Sequence, residues 1–284
     1  ALPRAQVGDT LLQQGGDTLL TRSAWIPGMG VAVKAATIYP DNPKRGIAAV
    51  NGAVNLFADQ DGRLEALVDF TLVTKWKTAG DSLLAARRLA NPDPDHILIV
   101  GAGAVARSMV EAYRAAFPRS GFLVWARSPD AARIFADATG ATPAPDLQTA
   151  VGRASIIATT TMATAPLIQG AWLAPGTHLD LIGAYRPDMR EADSACFARA
   201  RVYVDLRATT LDHIGDLMVP LAEGALTRAD VVADFYDLSS GLDLQAFKEV
   251  FARQHPDEIT LCKNGGGAHL DLMTARYILR AAQA

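Results

Sequence analysis

The chain has 284 residues, 50% hydrophobic and 20% charged, with a formal net charge of −3. That length accommodates one large or two modest domains, and the mildly acidic balance argues against nucleic acid or an anionic membrane as the main partner. No apolar run approaches the roughly 18 residues a membrane span needs, and two cysteines, Cys196 and Cys262, form no disulfide framework and suit a cytoplasmic protein. The 5 histidines show no metal-ligand spacing, so no metal is expected. No signal peptide is visible, and Ala1-Leu-Pro-Arg4 reads as a start within a longer chain.

In chain order, Leu19-Leu20 and the segments 31–39, 54–57 and 64–70 are β-rich, with turns at Pro40-Asp-Asn-Pro43 and Asp59-Gln-Asp-Gly62. They predict an antiparallel meander. From Thr71 the apolar period becomes helical and runs through Leu89 to the turn Asn91-Pro-Asp-Pro94, which marks a domain boundary. Beyond it strands are expected at 97–100, 121–126, 155–159, 178–182 and 202–205, with helices between. Such alternation predicts a parallel, doubly wound sheet. Segments 231–235 and 259–263 look like late additions to that sheet or its edge, and a last helix over 268–282 should pack back on the first domain. The expected architecture is α/β: a doubly wound sheet over 91–267 beside a mixed α+β domain built from 1–90 with 268–284.

The most informative stretch is His96-Ile-Leu-Ile-Val-Gly101-Ala-Gly103-Ala104-Val105-Ala106. A buried strand breaks into a glycine turn and opens a helix, the shape that cradles a dinucleotide pyrophosphate. Gly101 permits the turn, Gly103 lets the backbone approach phosphate, and small Ala106 lets the helix pack on the strand. The next strand ends in Ala126-Arg127-Ser128, where NAD enzymes usually carry an acid for the ribose 2′-hydroxyl. A cation and a hydroxyl suit a 2′-phosphate, so NADPH is favoured and NAD remains possible; Asp130 close by is a candidate helix cap. Ligands of open α/β sheets lie beyond the carboxyl ends of the strands. Thr159-Thr160-Thr161-Met162 should therefore flank the cofactor, and Ile182-Gly183-Ala-Tyr185 should approach the nicotinamide.

Taken together, several motifs resemble the ornithine cyclodeaminase/mu-crystallin family. They are Val33-Lys34-Ala-Ala-Thr37, Tyr39-Pro-Asp-Asn-Pro43, Lys75-Trp-Lys77-Thr78-Ala79, the glycine turn, Gly183-Ala-Tyr-Arg-Pro-Asp-Met-Arg-Glu191, Gly215-Asp216 and Lys263-Asn264-Gly-Gly-Gly267. They run in the family's order over almost the whole chain, although the helix that normally precedes the Pro3-Arg4 region looks absent. The resemblance implies a homodimer in which 91–267 is a Rossmann domain and 1–90 with 268–284 a mixed substrate and dimerisation domain, and which passes hydride between a nicotinamide and the α-carbon of an amino or imino acid. It assigns Arg4, Lys34 and Lys77 to the substrate carboxylate, and Thr78, Lys263 and Asn264 to the cofactor. Lys77 stands where the family commonly has arginine, which keeps the charge but loses the bidentate fork.

Tyr185 departs further. Ornithine cyclodeaminases carry an aspartate at this point, where it engages the substrate amine and assists proton transfer. A phenol with an ordinary pKa near 10 is a poor base at neutral pH. Reduction of a preformed C=N bond in a cyclic 2-imino acid is therefore expected. An ornithine or lysine cyclodeaminase using bound NAD stands as the alternative, and a non-catalytic mu-crystallin-like binding protein as a further one.

Overall fold

In the computed structural model, residues 3–235, 237 and 249–284 are described. They divide into two units: residues 1–77 with 267–284, and residues 78–266.

The first unit is built on a five-stranded antiparallel meander: β1 (Gln6–Gln14), β2 (Asp17–Ile26), β3 (Gly30–Ile38), β4 (Val50–Phe57) and β5 (Leu64–Asp69). Alternation sends every second residue of a strand to one face. Ala24 and Ile26, Ala32, and Val54 and Leu56 thus line a core closed by Val73 and by Ala268, Leu272 and Ala275. Val73 lies early in helix α1 (Phe70–Leu89), and the other three lie on the last helix, α8 (Ala268–Gln283). The last helix thus packs on the sheet of the first unit, as the sequence predicts. Lys34 takes an inward position of β3, between buried Ala32 and Ala36.

Strand β1 was not among the expected elements. All nine of its residues are exposed, so it carries no buried alternation to read. A signal was present nevertheless. Asp9-Thr-Leu-Leu12 recurs as Asp17-Thr-Leu-Leu20 around Gly15-Gly16, and Gln14 pairs with Asp17 across that two-residue turn, with Gly15 at φ +60.

The second unit holds an eight-stranded sheet in the order β12-β11-β13-β10-β9-β6-β7-β8. Its strands are β6 (His96–Val100), β7 (Gly121–Trp125), β8 (Thr142–Pro143), β9 (Ile156–Thr159), β10 (His178–Leu181), β11 (Arg201–Val204), β12 (Val231–Asp234) and β13 (Thr260–Lys263), and every pairing is parallel. Among the described residues these helices accompany them: the rest of α1, then α2 (Ala104–Ala116), α3 (Pro129–Thr139), α4 (Leu147–Arg153), α5 (Ser194–Arg199), α6 (Arg207–Thr210) and α7 (Gly215–Ala222). Both faces are covered. Leu98, Val100, Leu179 and Leu181 face one core, while Ile97, Ile99, Met109, Tyr113 and Phe135 share the other. Of the two late strands, β12 is an edge, but β13 inserts between β11 and β10 with all four residues buried. Of the two alternatives the sequence leaves open, β12 takes the edge and β13 the interior, and the apolar Leu261-Cys262 pair of β13 fits full burial.

Candidate active site

The strand order reverses beside β6, whose neighbours are β7 on one side and β9 on the other. Such a switch point opens the crevice where α/β sheets take nucleotides. Gly101 ends β6 at φ +121, and a Cβ there would lie 2.5 Å from Thr160 Oγ1, so only glycine fits. Thr160 is tied to the same place, its N–H donating to Val100 O at 2.8 Å and its hydroxyl at 3.1 Å. Gly103 caps α2 with no side-chain bond to the helix N–H groups, and a Cβ there would meet nothing within 4 Å. The positive end of a thirteen-residue helix is thus bare and open in front. Ala106 is fully buried against the strand. These features fit the pyrophosphate of a dinucleotide.

At the end of β7, Arg127 and Ser128 are exposed. Ser128, not Asp130, caps α3: its hydroxyl accepts from Ala131 N at 3.3 Å. Asp130 instead pairs with Arg133 one turn on, at 3.2 Å. Arg127 is the exposed cation at the strand tip, where the sequence leads one to expect a contact with a 2′-phosphate.

The loops after β9 and β10 are tied together by a carboxylate to which the motif reading gave no role. Glu191 Oε1 accepts from Thr161 N and Thr161 Oγ1, both at 2.7 Å. Its Oε2 accepts from Thr159 Oγ1 at 2.8 Å, Gly183 N at 2.7 Å and Ala184 N at 3.2 Å. Gly183 is required because a Cβ would collide with the backbone of Thr161. Glu191 is fully buried, and that burial pushes its carboxyl above the ordinary range, while the Lys263 ammonium pulls it back. Lys263 is itself fully buried, donating to Leu181 O at 3.1 Å and lying 3.4 Å from Asp216 Oδ2. Asp216 Oδ1 in turn accepts from Glu191 N at 2.7 Å. Two acids and one lysine thus lock the strand-end loops, with Lys263 committed to the lock through its ammonium. From these loops Met162 is 76% exposed and Tyr185 51%, its ring carrying the Arg186 guanidinium at 5.4 Å. Ile182 is half-buried, its N–H given to Thr159 O.

A second buried network lies behind β10. Asp180 accepts from Tyr113 Oη at 2.7 Å and Asn264 Nδ2 at 2.6 Å, and from the Ser82 hydroxyl. Burial raises its carboxyl to about 7 despite these donors. Asn264 is therefore fixed by its side chain, and its backbone N–H bonds Leu181 O at 3.0 Å. The sequence signal for Asp180 was an acid inside the apolar strand His178-Leu-Asp-Leu-Ile.

In the first unit, Lys34 and Lys77 meet. Lys34 Nζ donates to Asp271 Oδ1 at 2.9 Å, and Lys77 Nζ lies 3.6 Å from the same oxygen. All three residues are buried. The ring of Phe70 lies 5.3 Å from the Lys34 ammonium. Burial, and then Lys77, lower Lys34 to about 8, with Asp271 opposing. Thr78 follows Lys77 on α1 and is half-buried; Arg4 is exposed ahead of β1. Asp271 was missed at the sequence level, although an acid on the stripe of Ala268, Leu272 and Ala275 is out of place unless a cation waits for it.

Known proteins point the same way. A Delta(1)-pyrroline-2-carboxylate reductase of Paracoccus denitrificans is 50% identical, over 98% of this chain and 88% of its own. The mouse ketimine reductase mu-crystallin is 31% identical over 87% of this chain and 75% of its own. A solved Delta(1)-pyrroline-2-carboxylate reductase of Thermococcus litoralis, in complex with NADH and L-proline, superposes with a TM-score of 0.86 at 26% identity, covering 98% of this chain and 87% of that one. The model of the ornithine cyclodeaminase/mu-crystallin family matches residues 27–284, a span that takes in the paired lysines, the glycine turn and the Glu191 lock, and the chain belongs to that family.

Proposed function

We propose that this protein is a nicotinamide-dependent reductase of cyclic 2-imino acids, of the Δ1-pyrroline-2-carboxylate or Δ1-piperideine-2-carboxylate type. The observation that carries the reading is the pair of buried ammoniums, Lys34 and Lys77, converging on one carboxylate oxygen of Asp271. Two ammoniums held side by side away from bulk water are strong partners for an organic carboxylate. The names of the Paracoccus and Thermococcus relatives, and the L-proline bound in the latter, support the same substrate class.

A bound nicotinamide supplies the hydride that the imine carbon accepts. The chain's own residues do the rest. Lys34 and Lys77, with Arg4, take the carboxylate, and Lys34 lies toward the imine. Gly101, Gly103 and the bare N-terminus of α2 take the pyrophosphate, and Arg127 favours NADPH over NADH. The Thr159–Met162 and Ile182–Tyr185 loops, held by Glu191, border the nicotinamide. Tyr185 offers a hydrogen bond or one wall of a small ring, and no carboxylate base. Val7, Leu11 and Leu12, 45%, 56% and 61% exposed, lie on β1 at an open edge of the first unit's sheet, the kind of edge a second copy covers, which supports a homodimer.

Oxidation of NADPH and NADH with the two cyclic imines, run beside ammonia release from ornithine, tests the proposal. Cofactor consumption stoichiometric with imine is expected. Ammonia release from ornithine without net cofactor change would overturn it in favour of a cyclodeaminase.

A further inference from the structure

Asp271 lies in the first turn of α8 and is buried with that helix's apolar stripe. An ionised carboxylate is costly there unless cations meet it. Lys34 comes from β3, Lys77 from α1 and Asp271 from α8, and both ammoniums converge on one oxygen, Oδ1, at 2.9 and 3.6 Å. Three elements distant in sequence therefore agree on a single atom.

We infer that Asp271 is the positioning residue of the carboxylate-receiving pair, holding the Lys34 and Lys77 ammoniums side by side before an imino acid arrives. The inference deepens the imine-reductase reading and rests on it. Two neighbouring buried ammoniums repel, and the easier outcome is for one to lose its proton. A neutral amine at Lys34 would halve the positive charge offered to the substrate. Asp271 prevents this. The groups that face Lys34 are Arg22, its register partner on β2; Val54 opposite on β4; Phe70 and Lys77 on α1; and His269 and Asp271 on α8. Burial holds His269 down at about 4, so it is neutral at physiological pH. Arg22 and Lys77 add positive charge, and Asp271 is the anion of the set.

Above its pKa Lys34 becomes neutral, and kcat/KM should fall on the alkaline side. In Asp271→Asn that limb should move to lower pH by about one to three units, because the opposite charge that kept the proton on is gone. The longer Asp271→Glu should keep the limb in place but raise KM several-fold at every pH, with kcat changed little, since one added methylene displaces both ammoniums. A structural role alone moves neither the limb nor the split between KM and kcat.

An independent readout needs no turnover. The sequence has six lysines, so [ε-13C]lysine labelling gives a sparse spectrum in which Lys34→Met assigns the resonance. The Lys34 titration in full-length protein without cofactor should fall in Asp271→Asn and stay in Asp271→Glu. An unmoved titration in Asp271→Asn, or a wild-type KM in Asp271→Glu, overturns the inference. If Asp271→Asn does not fold, the Glu variant alone decides through its KM. A wild-type protein that oxidises no cofactor with either imine defeats the functional reading, and the lysine titration still separates that failure from a failure of Asp271.

Discussion

At the scale of single residues, the second unit poses two sharp tests. Arg127 stands exposed at the tip of β7 while Ser128 caps α3. Only NADPH presents a 2′-phosphate to that guanidinium. Arg127→Ala should therefore weaken NADPH by roughly tenfold to a hundredfold, the worth of a charge-assisted contact of about 1.5–3 kcal/mol, and leave NADH almost unchanged. Fluorescence titration of both cofactors reads this directly, and equal losses would remove Arg127 from the selectivity argument. Tyr185 is the second. An imine reductase needs no base there, so Tyr185→Phe should cost about 0.5–1.5 kcal/mol in kcat/KM, one lost hydrogen bond. A cyclodeaminase must take a proton from the substrate ammonium and would lose nearly everything if Tyr185 were its base. Robust ammonia release by the native protein, abolished in the variant, would reverse the order of the two readings.

At the scale of elements, Glu191 binds two strand ends into one body. It accepts five hydrogen bonds from the β9 and β10 loops with no exposure to water. Glu191→Gln would turn an amide NH2 toward backbone N–H donors, leaving buried groups unpaired at about 1–3 kcal/mol. A lower melting temperature and weaker cofactor binding are expected together, because one carboxylate serves both loops. Reduced stability with unaltered affinity would show that the loops do not border the cofactor. Much of this scaffold was legible in the sequence. The meander, the parallel strands, the glycine turn and the last helix follow from periodicity and from glycine and proline chemistry. Strand β1 was hidden because an exposed strand shows no alternation, and the place of β13 in the sheet or at its edge stayed open because sequence order does not reveal insertion between two other strands. Lys34 could be suspected from an ammonium in an apolar strand. Its anion could not be matched to it, since Asp271 is 237 positions away and only packing of α8 on the sheet joins them.

At the scale of the whole molecule, buried titratable groups set how stability depends on pH. Asp180 is raised from 3.8 to about 7 by burial, so between those values the folded state binds more protons than the unfolded one, and its contribution falls as pH rises. His178 and His269 act oppositely. Burial lowers them to about 3 and about 4, so the unfolded state binds more protons up to about pH 6.5 and stability rises with pH there. With two histidines against one aspartate, these three groups together should make native stability rise with pH from about 4 to 6.5. Asp180→Asn removes the falling contribution, and its melting temperature should climb with pH more steeply than that of the native protein. Parallel curves for the two proteins would show that Asp180 keeps its charge when folded. The division of the chain has one more consequence, in the order of its synthesis. Residues 78–266 form their unit from one continuous stretch, whereas the β1–β5 sheet, made before them, needs residues 267–284, made after them. As the ribosome works through the longer unit, the face of the β1–β5 sheet waits without Ala268, Leu272 and Ala275, and Lys34 waits without Asp271. An open apolar face with an unmatched ammonium at its centre is a client for chaperones. The sheet that leaves the ribosome before residues 78–266 is thus completed only after them, and an early stop anywhere between residues 77 and 267 leaves it unfinished.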